Sequence, residues 1–267
     1  VAESGFRHLL VERKGPALHV QLNRPAVHNA INPELVDELT ACLTSVSAGG
    51  EVRAVLLSGA GPSFCAGADL TWMRAAADLS YEENLADARK LTGMLAALNW
   101  CPLPTVARAH GASLGAGVGL LACCDIVVAA DDARFGFSEV KLGILPAVVA
   151  PYVVAKIGES HARALFASGE RFDAQRALQI GLVHHVVPAD ELDAAVERIL
   201  HEFTTSAPGA AAQARALIRR AKGENPEDAQ DWTAELLARL RTTAEAREGV
   251  AAFLEKRRPS WVVHGKE

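Results

Sequence analysis

Residues 105–130 read TVARAHGASLGAGVGLLACCDIVVAA, and this stretch carries most of the topological information in the chain. Residues 105–109 and 126–130 are short apolar runs bounded by turn residues, the pattern of strands buried on both faces of a sheet. Between them a glycine-rich turn leads into a short apolar helix beginning near Gly115. Strand, helix and strand in that order require a right-handed crossover and a mostly parallel sheet. Ala54-Val55-Leu56-Leu57 is a further run of this kind, and residues 82–98 have helical spacing.

The flanking sequence extends this pattern in both directions. Residues 6–12 and 17–23 flank Lys14-Gly15-Pro16 and read as a hairpin. Asn32-Pro33-Glu34 is a helix start: Asn caps, Pro takes the first helical position, and an acid sits in the electropositive first turn. Leu35, Val36, Leu39, Leu43 and Val46 follow at helical spacing until Gly49-Gly50. From residue 189 the chain turns Ala-, Leu- and Arg-rich, broken at Pro208 and Pro226, with no strong strand signal. The expectation is an α/β core over residues 1–188 followed by a helical region over residues 189–267.

The 267 residues are 50% hydrophobic and 22% charged, which excludes disordered, collagenous and coiled-coil classes. With 27 basic and 32 acidic side chains the formal net charge is −5, so phosphate-rich nucleic acid and anionic membranes are poor partners. Neither long apolar segment, residues 111–124 or 142–155, reaches the ~18–20 residues of a membrane span. Cys42, Cys65, Cys101, Cys123 and Cys124 lack C-x-x-C spacing and mostly sit in apolar runs, as reduced buried thiols do. No secretory h-region is visible over residues 1–15, and a cytoplasmic protein is expected.

Three constellations compete for the chemistry. Gly111-Ala112-Ser113-Leu114-Gly115 matches the G-x-S-x-G elbow of serine hydrolases, in the strand-to-helix context which that motif requires, but no HGGG-type loop accompanies it. Gly115-Ala116-Gly117-Val118-Gly119 has the wrong spacing for a dinucleotide fingerprint. Its glycines let a ligand approach the backbone, and its helix N-terminus offers free N–H groups to a developing oxyanion; tight helix packing is the alternative. The third is the small-residue turn Phe64-Cys65-Ala66-Gly67-Ala68-Asp69-Leu70. Two such turns after neighbouring strands can aim two N–H groups at one carbonyl oxygen. The histidines show no metal-ligand spacing, and no metal or separate cofactor is expected.

The ordered blocks Leu22-Asn23-Arg24-Pro25, Asn29-Ala30, Ala66-Gly67-Ala68-Asp69-Leu70, Leu103-Pro104-Thr105, the glycine turn, Cys124-Asp125-Ile126, Ala133-Arg134-Phe135-Gly136, Glu139, Leu142-Gly143, Gly181-Leu182-Val183 and Phe253-Leu254-Glu255-Lys256-Arg257 resemble the crotonase, or enoyl-CoA hydratase/isomerase, superfamily. The resemblance implies a spiral of ββα units ending in helices that build trimers, commonly paired into hexamers, and an acyl-coenzyme A thioester as ligand. Under it, the N–H groups of Ala68 and Ala116 hold the thioester oxygen. Ala66, Asp69, Leu70 and Thr71 border the coenzyme channel, and Gly115 is among the substrate-binding residues. Trp72 and Met73 follow the oxyanion turn and either wall the acyl pocket or fill the core. Phe253 and Lys256 reach a neighbouring subunit's coenzyme A.

Typical hydratases of this superfamily carry two glutamates; here Gly119 stands at the first position and Glu139 at the second. A single carboxylate is also what several enoyl-CoA isomerases use, and a non-catalytic acyl-CoA-binding subunit is a third reading. A narrower similarity, over residues 64–73, 117–120, 138–146 and 147–154, is to bacterial methylglutaconyl-CoA and isohexenylglutaconyl-CoA hydratases of leucine and acyclic terpene breakdown. It implies a hydratase acting on a branched glutaconyl-type thioester, with Glu139 as proton carrier and the substrate's second carboxylate near Gly119. Arg24, Arg74 and Lys141 are the cations available to such a carboxylate.

Overall fold

The computed structural model describes residues 5–48 and 50–262, so Gly49 and the terminal residues lie outside it. β1 (Leu9–Lys14) and β2 (Ala17–Leu22) form the expected antiparallel hairpin, although β1 starts at Leu9 rather than at residue 6. β3 (Ala54–Gly59), β4 (Thr105–Ala109), β6 (Ile126–Ala130) and β9 (His185–Val187) then add in parallel, in the order β1-β2-β3-β4-β6-β9. A second sheet has the order β5-β7-β8, formed by β5 (Ala112–Leu114), β7 (Arg134–Gly136) and β8 (Arg171–Asp173).

α1 (Pro33–Thr44) begins as the sequence reads: the Asn32 side chain accepts from the Leu35 N–H at 3.0 Å, and Pro33 follows. α3 (Tyr81–Asn99) is capped by Ser80 and Glu83 reciprocally. These helices pack with α4 (Ala116–Cys123) on the sheet face that carries Leu18, Val20, Leu22, Val55 and Leu57. All eight residues of α4 are buried, as its lack of a polar face requires. α5 (Ala150–Ser168) packs against α4, and α6 (Ala174–Gln179) lies beneath β8 and β9. The short α2 (Leu70–Ala76) has no buried residue and lies over the surface.

The strands end at Val187, close to the expected boundary at residue 188, but packing continues across it. α7 (Leu192–Thr205) sets Leu192, Ala195, Val196 and Leu200 against Ala54, Leu56, Val106 and Val128, which alternate with the residues facing α4. The first C-terminal helix is therefore a layer of the core.

α8 (Pro208–Ala221) is tied down electrostatically, while α9 (Gln230–Arg241) and α10 (Ala244–Leu254) complete the chain. Arg215 donates to the carbonyls of Asn99, Cys101 and Leu103 at the end of α3 and pairs with Asp125 at 3.0 Å. A cation there offsets the negative end of the helix dipole. All five cysteines are buried free thiols, and burial pushes Cys65 and Cys124 up to about 12. Among the described residues no helix is long and apolar enough to cross a membrane.

Candidate active site

The segment after β3 is held from both sides. Phe64 and Cys65 donate to the carbonyls of His110 and Ala112, and Cys65 accepts from Leu114. From Ala66 onward the bonding switches to the other side: Ala66 donates to His28, Gly67 accepts from Ile31, and Asp69 donates to Ile31. Because successive amides of an extended chain point oppositely, the Ala68 N–H turns away from Ile31 and has no acceptor among the described residues. Gly67, at φ +94°, makes the approach possible: a Cβ there would stand 2.9 Å from the Leu114 carbonyl oxygen and 3.8 Å from the Ala116 nitrogen.

The second free donor comes from α4. Ala116 is the first residue of the helix, so its N–H has no intrahelical partner and finds none elsewhere among the described residues. Gly115 precedes it at φ +49° and donates to the Gly136 carbonyl. That bond continues the β5–β7 pairing, in which Leu114 lies opposite Gly136. Three residues beyond Gly136, Glu139 opens a short 3-10 turn and returns to the same place. A Cβ on Gly115 would lie 2.7 Å from Glu139 Oε1. Glu139 Oε2 is buried with no hydrogen-bond partner. Burial raises the Glu139 pKa above the ordinary carboxylate value of 4.5, only partly opposed by a bond from its own backbone.

These groups face a cavity of about 210 Å³. Ala66, Ala68, Leu70, Met73, Gly115 and Ala116 line it as the sequence reading places them. Leu91, Leu142 and residues 144–149 supply the remaining apolar wall, which that reading did not single out. Ser138 and Glu139 are the polar side chains of the lining. A mainly apolar pocket with one carboxylate suits proton transfer, because a partly desolvated charge binds its proton more tightly.

Several expected site residues lie elsewhere. Gly119 does not reach the cavity: it is buried behind Val149, whose Cγ1 would be 2.2 Å from a Cβ on Gly119. A substrate carboxylate has no room there. Trp72 turns from the pocket and donates through Nε1 to Asp87 at 2.6 Å, holding α2 to α3. Asp69 caps α2 by accepting from the Thr71 N–H, and neither residue lines the cavity at Glu139. Asp69 also pairs with Arg24 at 3.0 Å, and Arg24 donates to the Ala30 carbonyl. Burial works to raise the Asp69 pKa, but the Thr71 amide and the Arg24 guanidinium hold it below the usual carboxylate range. Arg24 is thus committed to structure, while Arg74 and Lys141 are exposed.

Phe253, 84% exposed, and Lys256 lie at the end of α10, outside the lining of their own chain's cavity. Ser113, the elbow serine, is completely buried in β5 opposite Phe135, its hydroxyl without a partner. No base reaches it, and the hydrolase geometry is not formed. Three histidines are engaged structurally: His28 bonds Ser63, His110 bonds Arg108 and the Gly61 carbonyl, and His184 Nδ1 accepts from Val127 N–H. Burial, with Lys156 and His185 nearby, pushes His184 down to about 4. Among the described residues no cluster of His, Cys, Asp or Glu is arranged to hold a metal ion.

Two sheets wound into one spiral, with paired free amides beside a half-buried glutamate, describe an enzyme of the crotonase fold. The family model "Enoyl-CoA hydratase/isomerase" matches residues 12–264, and the chain belongs to that family. It is similar to the 2,3-dehydroadipyl-CoA hydratase of Escherichia coli K12, with 34% identity over 95% of this chain and 98% of that protein. Among solved structures, an enoyl-CoA hydratase from Shewanella pealeana superposes with a TM-score of 0.92 at 36% identity, covering 96% of this chain and 97% of that one. Pseudomonas aeruginosa AtuE gives a TM-score of 0.92 at 38% identity, covering 96% of this chain and all of the other (100%).

Proposed function

We propose that the protein hydrates α,β-unsaturated acyl-CoA thioesters, with Glu139 as its acid–base. The observation that carries this reading is the Glu139 carboxyl group, its Oε2 unpartnered, lying against Gly115 beside the two free amides of Ala68 and Ala116. The amides hold the thioester oxygen and stabilise the enolate that forms as water adds to Cβ, each contributing roughly 2.7–4 kcal/mol to that transition state. Glu139 as carboxylate takes a proton from the water while its oxygen bonds to Cβ. The same group, now neutral, gives that proton to Cα as the enolate collapses. One carboxyl group thereby completes the addition and is restored.

Within this activity we propose a branched glutaconyl-type thioester as substrate, on the narrower sequence resemblance. Its second carboxylate would face the mouth of the cavity, because burial in an apolar wall without a cation costs several kcal/mol. Arg74 and Lys141, exposed and adjacent in sequence to the lining residues Met73 and Leu142, are the cations for it. The coenzyme itself would be completed by a neighbouring copy of the chain through Phe253 and Lys256, in a trimer or a pair of trimers. An isomerase is the second reading, favoured by Glu139 being the one ionisable group in the lining.

The test is a side-by-side assay, by absorbance and mass, of 3-methylglutaconyl-CoA, its isohexenyl analogue, crotonyl-CoA and a 3-enoyl-CoA. Gain of water on the glutaconyl esters is expected, with crotonyl-CoA a poor substrate. Equal turnover of crotonyl-CoA would reject the glutaconyl assignment, and double-bond migration without added mass would make the protein an isomerase.

A further inference from the structure

Ser138 stands at the N-cap of the short turn that carries Glu139, at φ −86° and ψ 2°. A serine in that place ordinarily accepts a bond from a backbone N–H of the turn through its side-chain oxygen. This one does not: its carbonyl takes the Lys141 N–H at 3.0 Å, and its hydroxyl has no partner among the described residues. Ser138 is half-buried and lines the cavity, where it and Glu139 are the polar side chains. The carbonyls of Gly115, Glu139 and Pro146 in the same wall are already taken by the N–H groups of Gly119, Ile144 and Ala150. A hydroxyl free of capping and a carboxyl group on the next residue thus border one space.

We propose that Ser138 is a positioning residue, the second anchor of the water that Glu139 activates. This rests on the hydratase reading above and deepens it. A water in a mainly apolar pocket needs two or more polar partners, and the two free amides are taken by the thioester oxygen. The Glu139 carboxylate accepts one hydrogen of the water and Ser138 Oγ accepts the other, which leaves the lone pairs of the water for Cβ. As the C–O bond forms, the first hydrogen passes to Glu139 and from there to Cα. The second stays on the new hydroxyl group of the product. Ser138 gains and loses no proton, so a neutral hydroxyl suffices. Double-bond migration consumes no water and gives this hydroxyl nothing to hold.

The experiment compares the parent chain with Ser138→Ala and Ser138→Thr on 3-methylglutaconyl-CoA, following the mass gain of one water, with urea midpoints on the same samples. Ser138→Ala is expected to lose kcat by about 10–10²-fold while KM and the urea midpoint stay close to the parent's. Ser138→Thr keeps the hydroxyl and is expected to retain most of the parental kcat. A kcat for Ser138→Ala within about twofold of the parent, an equal loss in Ser138→Thr, or a change confined to KM would each overturn the assignment and leave the hydratase intact. A loss of kcat that follows a fall in the urea midpoint would assign the hydroxyl to folding and overturn it as well. The same comparison runs on crotonyl-CoA, so a parent that hydrates only that ester rejects the glutaconyl substrate and still tests Ser138. Gain of water on neither ester would overturn the activity itself, and this assignment with it.

Discussion

Glu139 Oε1 lies 2.7 Å from the point at which a side chain on Gly115 would begin. The residue that prepares the second free amide is therefore also the surface against which the carboxylate rests. Replacing Gly115 by Ala introduces a methyl group into that contact and places a Cβ at φ +49°, ψ −115°, a sparsely populated conformation that costs an L-residue on the order of 1–3 kcal/mol. The carboxylate must swing aside. Gly115→Ala is expected to lose kcat by about 10²–10³-fold with a modest loss of stability, measured by turnover and by urea denaturation of the same sample. Full activity in that variant would show that the carboxylate position is not critical.

Glu139→Gln keeps the shape of the side chain and removes its proton chemistry. Hydration should fall by about 10²–10⁴-fold. Stability should respond in the other direction with pH. Because burial raises the folded-state pKa of Glu139, its proton is held more tightly in the folded than in the unfolded chain. The favourable contribution is complete below 4.5 and is lost as pH rises through the folded value. Denaturation midpoints should show the parent weakening relative to Glu139→Gln between pH 4 and pH 8. A constant difference across that range would mean that the carboxyl group is not desolvated.

Arg24 binds the turn at Ala30 to the start of α2 through Asp69, and so braces Ala68 between them. Removing it in Arg24→Ala leaves a half-buried carboxylate unpaired and is expected to destabilise by roughly 1.5–3 kcal/mol. The informative readout is kinetic: kcat should fall with little change in KM, because the oxyanion donor is displaced while the rest of the pocket persists. A loss of stability with unchanged kcat would confine Arg24 to folding.

Much of this architecture is legible in the sequence, for identifiable reasons. Asn32-Pro33 starts α1, and residues 105–109 and 126–130 form β4 and β6 with the read bounds, because capping chemistry and buried apolar runs are local signals. β5, β7 and β8 span three residues each, too short for any periodicity to show, and α5 is interrupted at Gly158, whose φ is +78°. At the site, Ala68, Ala116 and Glu139 were accessible through motif resemblance. Of the two residues that could either wall the pocket or fill the core, Met73 lines the cavity and Trp72 turns to Asp87, because neighbouring residues of α2 face different ways. Val149 gave no signal, since its partnership with Gly119 exists only once α5 packs on α4.

Ser113→Ala provides the control for the discarded elbow. Its hydroxyl is buried without a partner, so the substitution should leave turnover unchanged and hold or raise stability by about 1 kcal/mol. A fluorophosphonate probe should fail to label the parent protein. Labelling at Ser113 would contradict the buried strand position.

The strip from Phe64 to Asp69 exchanges bonding partners at Ala66, and the unoccupied amide at Ala68 follows from an even-and-odd count along it. Insertion or loss of a single residue between Cys65 and Ala68 would turn that amide inward and present a carbonyl to the substrate, reversing the polarity of the cradle. The strip's length behaves as a reading frame: apart from Gly67, whose φ of +94° and closeness to Leu114 call for glycine, its polarity depends on the count of residues more than on their side chains.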